Sequence, residues 1–306
     1  MLEFLELIWS DYTVRIITMG TAALGAILGL LGSFAVLRKQ SLLGDAISHA
    51  ALPGIVLAFI LTQTKTTYVL LLGAIISGLI GSVLINSIVK RTHLKTDTAL
   101  GIILSVFFGF GMLLLTAIQK QPDAAQAGLD KYLFGQAATL MLEDVKLLIA
   151  VLGLALLILF LFYKELKLLL FDADYAKTLG INTKYLDVLI TVFIIVAIVL
   201  GLQTVGVVLM SAMLLAPAAA ARQWTNSLST MLFLSAILGM ISGVLGTAIS
   251  ASQDSLSTGP VIVIIAVSLV VISFIFAPNR GLIAKRVQQR KNKKLFEKIK
   301  DDAATT

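Results

Sequence analysis

Long apolar runs separated by short polar or basic stretches dominate the chain. They cover roughly 15–37, 41–61, 68–89, 98–118, 145–163, 187–202, 204–221, 228–250 and 260–277. A helix rises 1.5 Å per residue, so about 20 such residues cross a hydrocarbon core of about 30 Å. The pattern therefore predicts an all-α, polytopic membrane protein with about eight to nine transmembrane helices. The ten-residue alternation of a membrane barrel is absent, and backbone in lipid must satisfy its own N–H and C=O groups. The runs 187–202 and 204–221 are short and divided only around Gln203. Nine spans, or eight with one broken helix, both fit.

Composition agrees. Of 306 residues, 58% are hydrophobic and 13% charged, where soluble domains carry charge on about a quarter. Glu3 and Glu6 stand where a secretory signal would have basic residues, so the first span is expected to be retained. The absence of cysteine excludes disulfides and thiolate metal sites.

The net charge of +7 is explained by topology. With nine crossings and the N-terminus outside, Arg38, Lys39, Lys90, Arg91, Lys95, Lys164, Lys167, Lys177, Lys184, Arg222, Arg280 and the tail from Lys285 to Lys300 all lie inside. Arg15, Lys65, Lys120, Lys131 and Lys146 lie outside. That asymmetry matches the enrichment of cytoplasmic loops in Lys and Arg. The chain thus divides into a transmembrane domain, 1–280, and a basic cytoplasmic tail, 281–306. A tail that begins Lys285-Arg-Val-Gln-Gln-Arg after a last span reads as a cytoplasmic anchor near lipid headgroups, not as a nucleic-acid patch. Gly25 with Gly29, and Gly239 with Gly243, mark helix faces suited to close packing.

Most ionisable residues fall in loops. The exception is the pair Asp45 and His49 in Ser41-Leu-Leu-Gly-Asp-Ala-Ile-Ser-His-Ala-Ala-Leu-Pro-Gly54. Their i, i+4 spacing places both on one helix face, about 10 and 16 Å in from Arg38. Charged groups at that depth are costly unless paired or facing a wet cavity. A carboxylate with an imidazole suits manganese, iron or zinc; the alternative is an Asp–His hydrogen bond that locks two helices. Pro53-Gly54 predicts a helix break, because proline removes the N–H that the carbonyl of His49 would accept. Unwound backbone beside a midplane site exposes oxygens to a cation. Two donors do not complete a metal shell, so a second chain about a pseudo-two-fold axis is expected to supply more.

The inner segment Leu170-Phe-Asp-Ala-Asp-Tyr-Ala-Lys-Thr-Leu-Gly180 predicts a short helix. Asp172 is its N-cap, Asp174, Tyr175 and Ala176 lie in its first turns, and Gly180 sits at its C-terminal end. Such a helix either lies in the membrane interface or docks a motor subunit. His93 reads as solvated, Met210 and Met213 as core filler, and Asp254 as a turn residue. No G-x-x-x-x-G-K-[ST] loop occurs, so the chain is not expected to hydrolyse ATP itself.

The string from Leu37 to Gly54 resembles the signature of the manganese, zinc and iron ABC importer permeases. So do Thr96-Asp-Thr-Ala-Leu-Gly-Ile102, Lys131-Tyr-Leu-Phe-Gly135, Phe171 to Gly180 and Thr204 to Arg222, and the likeness covers nearly the whole chain up to about 278. The resemblance implies a fold similar to the cobalamin and siderophore importers. It also implies two permease chains, identical or paralogous, two cytoplasmic ATPases and an extracytoplasmic metal-binding protein, with no permanently bound cofactor. It carries the metal role onto Asp45 and His49 and ATPase coupling onto the 171–180 helix. The Asp-Ala-Ile-Ser-His-Ala-Ala-Leu-Pro-Gly form looks most like the manganese members. Family members often have a small residue or glycine after Arg38, where this chain has Lys39-Gln40. An ion-coupled secondary transporter would also place Asp and His at mid-membrane, but would need no docking helix. A membrane scaffold would leave the pair as a structural hydrogen bond.

Overall fold

The computed structural model describes residues 11–64, 66–119, 135, 137–207, 209–252, 256–278, 280–286, 288–290 and 292. Glu3, Glu6, Lys65, Lys120, Lys131–Phe134, Asp254 and the tail beyond 292 lie outside them. The described residues include α1 Tyr12–Leu37, α2 Leu43–Thr62, α3 Thr67–Arg91, α4 Thr96–Gln119, α5 Leu142–Leu161, α6 Tyr163–Phe171, α7 Ala173–Thr178, α8 Thr183–Val205, α9 Met210–Trp224, α10 Leu228–Ala251 and α11 Thr258–Phe276, with a short 3-10 turn at Ala137–Thr139 before α5. Eight of these are long and apolar enough to cross a membrane. The fifteen residues of α9 reach only about 22 Å.

Apolar periodicity marked the long helices to within a few residues. The division around Gln203 is corrected. Gln203 lies inside α8, and the break comes at Gly206, whose φ of +83° suits a residue without Cβ. A glutamine costs a helix little, so its polarity alone does not end one.

α1 is central, and α10 is packed along it. A Cβ on Gly25 would collide with the backbone of Gly239, one on Gly29 with Ser235, and one on Gly243 with Thr21. The glycines anticipated as packing positions thus bring two backbones into contact. Thr21 and Thr247 hydroxyls meet at 2.9 Å and Ser33 and Ser235 at 2.8 Å, which satisfies polar groups that lipid cannot. α2 is enclosed by α3 and α4 on one side and by α8 and α9 on the other.

Contacts between helix ends fix which connections share a side. Arg38, after α1, pairs with Asp187 at the start of α8, and Arg280, after α11, donates to Asn226 between α9 and α10. At the opposite end, Gly20 faces Leu140 and Val145 ahead of and within α5, and Gly259 of α11 faces Thr204 and Val205 of α8. The short α9 therefore returns the chain to the first end. Arg38, Lys39, Lys164, Lys167, Lys177, Lys184, Arg222 and Arg280 gather there, as do Lys90 and Arg91 in the last turn of α3.

Candidate metal path and coupling segment

Along the first half of α2, Ala46, Ile47, Ser48, Ala50 and Ala51 are fully buried. Asp45 and His49 break that pattern as half-buried positions one turn apart. The face they share is the one that α2 leaves partly open. α4 borders it, and its Phe108 ring meets the His49 imidazole edge-on.

The Nδ1 of His49 is buried and has no hydrogen-bond partner. Among the described residues no hydrogen bond joins it to Asp45, whose backbone carbonyl accepts from the Ser48 hydroxyl at 3.0 Å. The structural alternative, an Asp–His hydrogen bond locking two helices, is therefore not formed. A buried polar atom without a partner is costly, and a water, an ion or a ligand can supply the missing bond. A carboxylate and an unpaired imidazole nitrogen, one helical turn apart, are donor types that a divalent transition metal accepts. Among the described residues no third His, Cys, Asp or Glu joins them.

The expected helix break at Pro53 and Gly54 is corrected. α2 runs unbroken from Leu43 to Thr62 with Pro53 inside it. Proline still removes the N–H that would bond the carbonyl of His49, yet the neighbours hold the helix closed. Gly54 and Gly73 of α3 meet backbone to backbone, Gly111 of α4 packs on Leu52 and Pro53, and the Ser77 hydroxyl donates to the Ala50 carbonyl at 2.7 Å. Tertiary packing overrides the local rule.

The inner segment folds as its sequence predicts. Asp172 caps α7 by accepting from the Tyr175 N–H at 2.9 Å. At the other end Gly180 takes φ +77°, while its N–H bonds the Lys177 carbonyl at 3.0 Å and that of Ile181 bonds Ala176 at 3.1 Å. This double bond is the Schellman arrangement that a C-terminal glycine permits. The Lys177 ammonium, hydrogen-bonded to Asp174 at 2.8 Å, holds that carboxyl below the usual range. Ala176 is fully buried, whereas Phe171, Tyr175 and Leu179 are more than half exposed. The segment from Phe171 to Leu179, with a helix too short to span a membrane, thus presents apolar side chains at the basic end.

Sequence reasoning missed one ion pair. Arg38 Nη1 lies 3.0 Å from Asp187 Oδ1 and donates to Thr191 Oγ1 at 3.5 Å. Burial holds the Arg38 guanidinium below its ordinary pKa, and the Asp187 carboxylate offsets part of that shift. The two residues are far apart in sequence, and nothing local in either segment signals the contact. Of the lesser candidates, Met210 and Met213 are buried core, with Met210 packed against Gly201. His93 is exposed in the connection between α3 and α4.

The ABC 3 transport family model matches residues 10–277. The chain is 51% identical over 284 residues to the zinc transport system membrane protein TroC of Treponema pallidum, covering 93% of this chain and 95% of that one. It is 48% identical over 269 residues to the manganese transport system membrane protein MntC of Bacillus subtilis, covering 88% of this chain and 62% of that protein. Its fold matches a chain of PsaBC from Streptococcus pneumoniae, solved in complex with Fab. The TM-score is 0.80 at 33% identity, covering 91% of this chain and 97% of that one.

Proposed function

The chain belongs to the ABC 3 transport family, and from that premise we propose that it is the membrane-spanning permease subunit of an ATP-driven importer for a divalent transition metal. Asp45 and His49 bind the metal in transit. The observation that carries this assignment is the buried, unpaired Nδ1 of His49 one turn from Asp45, both half-buried in the otherwise buried first half of α2. Relatives of nearly equal likeness are named for zinc and for manganese, and a carboxylate–imidazole pair accepts both.

Two donors leave a transition metal undercoordinated, so a second permease chain, identical or paralogous, completes the site across a shared axis. A separate ATPase supplies the energy by docking on α7 and its flanks, where Phe171 at the end of α6, Tyr175 within α7 and Leu179 just after it are exposed. An extracytoplasmic binding protein delivers the metal at the opposite end. The basic end, with the tail 281–306, faces the cytoplasm, a reading that the distribution of Lys and Arg supports.

The test is uptake of manganese and zinc into vesicles holding the permease with its ATPase and binding protein. Asp45→Asn and His49→Ala are each expected to abolish ATP-dependent uptake while the complex still assembles. Normal uptake by both variants would remove the ligand assignment. Uptake by the wild type without ATP, driven by an ion gradient, would point to a secondary transporter instead.

A further inference from the structure

At the basic end, two tightly capped corners face each other. In the first, α7 ends in the Schellman turn at Gly180, and only Ile181 and Asn182 precede α8. Asn182 caps α8 by accepting from the Tyr185 N–H at 3.2 Å, so α7 and the first turns of α8 are joined without slack. Asp187 stands in those turns.

The second corner joins α1 to α2. The N–H of Gln40 bonds the Ala35 carbonyl at 3.0 Å, that of Lys39 bonds Val36 at 3.1 Å, and that of Leu43 bonds Gln40 at 3.2 Å. Arg38 therefore sits on a hydrogen-bonded bend that leads directly into the helix carrying Asp45 and His49. Arg38 makes the polar side-chain contacts from this corner to α8, a short ion pair with Asp187 and a longer hydrogen bond to Thr191.

The asymmetry of the ion pair gives it direction. The Arg38 side chain is 12% exposed and that of Asp187 48%. An exposed acid tolerates movement, but a buried guanidinium left unpaired is strongly disfavoured. If Asp187 shifts with α8, Arg38 must follow it. The Nη2 of Arg38 is buried and has no partner. The bridge is thus single-pronged, and a donor remains for the paired, two-pronged geometry that Arg and carboxylate favour.

We propose that Arg38 and Asp187 form the joint that carries movement of α7 into α2, so that they are positioning residues for metal transfer. This rests on the importer reading above. In the resting arrangement the joint is half-made, and displacement of α7 by the docked ATPase swings Asp187 across the guanidinium and draws the start of α2 with it.

The experiment compares wild type, Asp187→Asn and Asp187→Glu in vesicles holding permease, ATPase and binding protein. Four quantities are measured: ATPase retained on purification, manganese bound by the solubilised complex, ATP hydrolysed, and manganese taken up. Asp187 is half exposed, so Asp187→Asn removes charge without opening the core. It is expected to keep ATPase and manganese bound, yet to lower uptake per ATP by about tenfold, within the usual range of coupling between sites. Asp187→Glu keeps the charge and is expected to restore the ratio to within about twofold of wild type. An unchanged ratio in Asp187→Asn would overturn the joint. So would parallel loss of manganese binding or ATPase association, which marks a purely structural bridge. If the wild type shows no ATP-dependent uptake, the importer reading itself fails, and the joint with it.

Discussion

The imidazole of His49 stands edge-on to the ring of Phe108, with centroids 4.7 Å apart and planes inclined at 74°. A side chain of α4 thereby sets the orientation of a ring carried by α2. Edge-to-face pairs contribute about 0.5–1.5 kcal/mol beyond burial. Phe108→Ala is therefore expected to raise the metal concentration for half-maximal uptake by about two- to tenfold, while the maximal rate changes less. Titration of uptake against manganese checks this. An unchanged half-saturation point would show that other contacts orient the imidazole.

Pro53→Ala tests the carbonyl of His49. Because α2 is already helical across Pro53, the new N–H adds one hydrogen bond to that carbonyl, worth about 1 kcal/mol, without moving the imidazole. If the side chains alone hold the metal, affinity of the solubilised complex is expected to stay within about twofold of wild type. A tenfold loss would make the carbonyl a metal ligand.

Ala176→Pro addresses the docking of the ATPase on α7. It deletes the bond from the Ala176 N–H to the Asp172 carbonyl, 3.1 Å long, at a cost of about 3 kcal/mol to a helix of six residues. The variant is expected to insert and bind metal, yet to lose co-purifying ATPase and ATP-dependent uptake together. Retention of both at wild-type levels would make α7 an interfacial helix.

Lys39 occupies the C′ position of the α1 cap with φ +57°, a left-handed conformation that costs a side chain about 1 kcal/mol and glycine almost nothing. Its side chain is exposed, so little contact offsets that cost. Lys39→Gly is expected to raise the thermal unfolding temperature of the solubilised protein. A lowered temperature would mean that the ammonium group makes a compensating interaction at this end.

The parts of this protein that were legible in its sequence are those governed by local rules. Hydropathy marked α2 as 41–61 against an observed 43–62, because each span must be apolar regardless of its neighbours. The i, i+4 spacing placed Asp45 with His49, and the Asp172 and Gly180 caps framed α7. The rest depends on contacts between distant segments. Phe108 reads as one apolar residue among many in α4, and Arg38 reads as a boundary charge until α8 brings Asp187 beside it. Pro53 misled for the same reason: its local effect is to break a helix, and only the packing of Gly54, Gly73 and Gly111 shows why it does not.

The seam between α1 and α10 has a mechanical consequence. With Gly25 keyed against Gly239 and Gly29 against Ser235, axial sliding would drive carbonyls into α-carbons. The first other register lies a whole turn, about 5.4 Å, away. These two helices therefore act as a keel, and whatever opens the path to one side and then the other must pivot around it. The chain has no cysteine of its own, and the Ser33 and Ser235 hydroxyls are 2.8 Å apart. A disulfide made by Ser33→Cys with Ser235→Cys would pin the keel alone. Full uptake by the oxidised variant is expected, and arrest that reverses on reduction would show that the keel itself must flex.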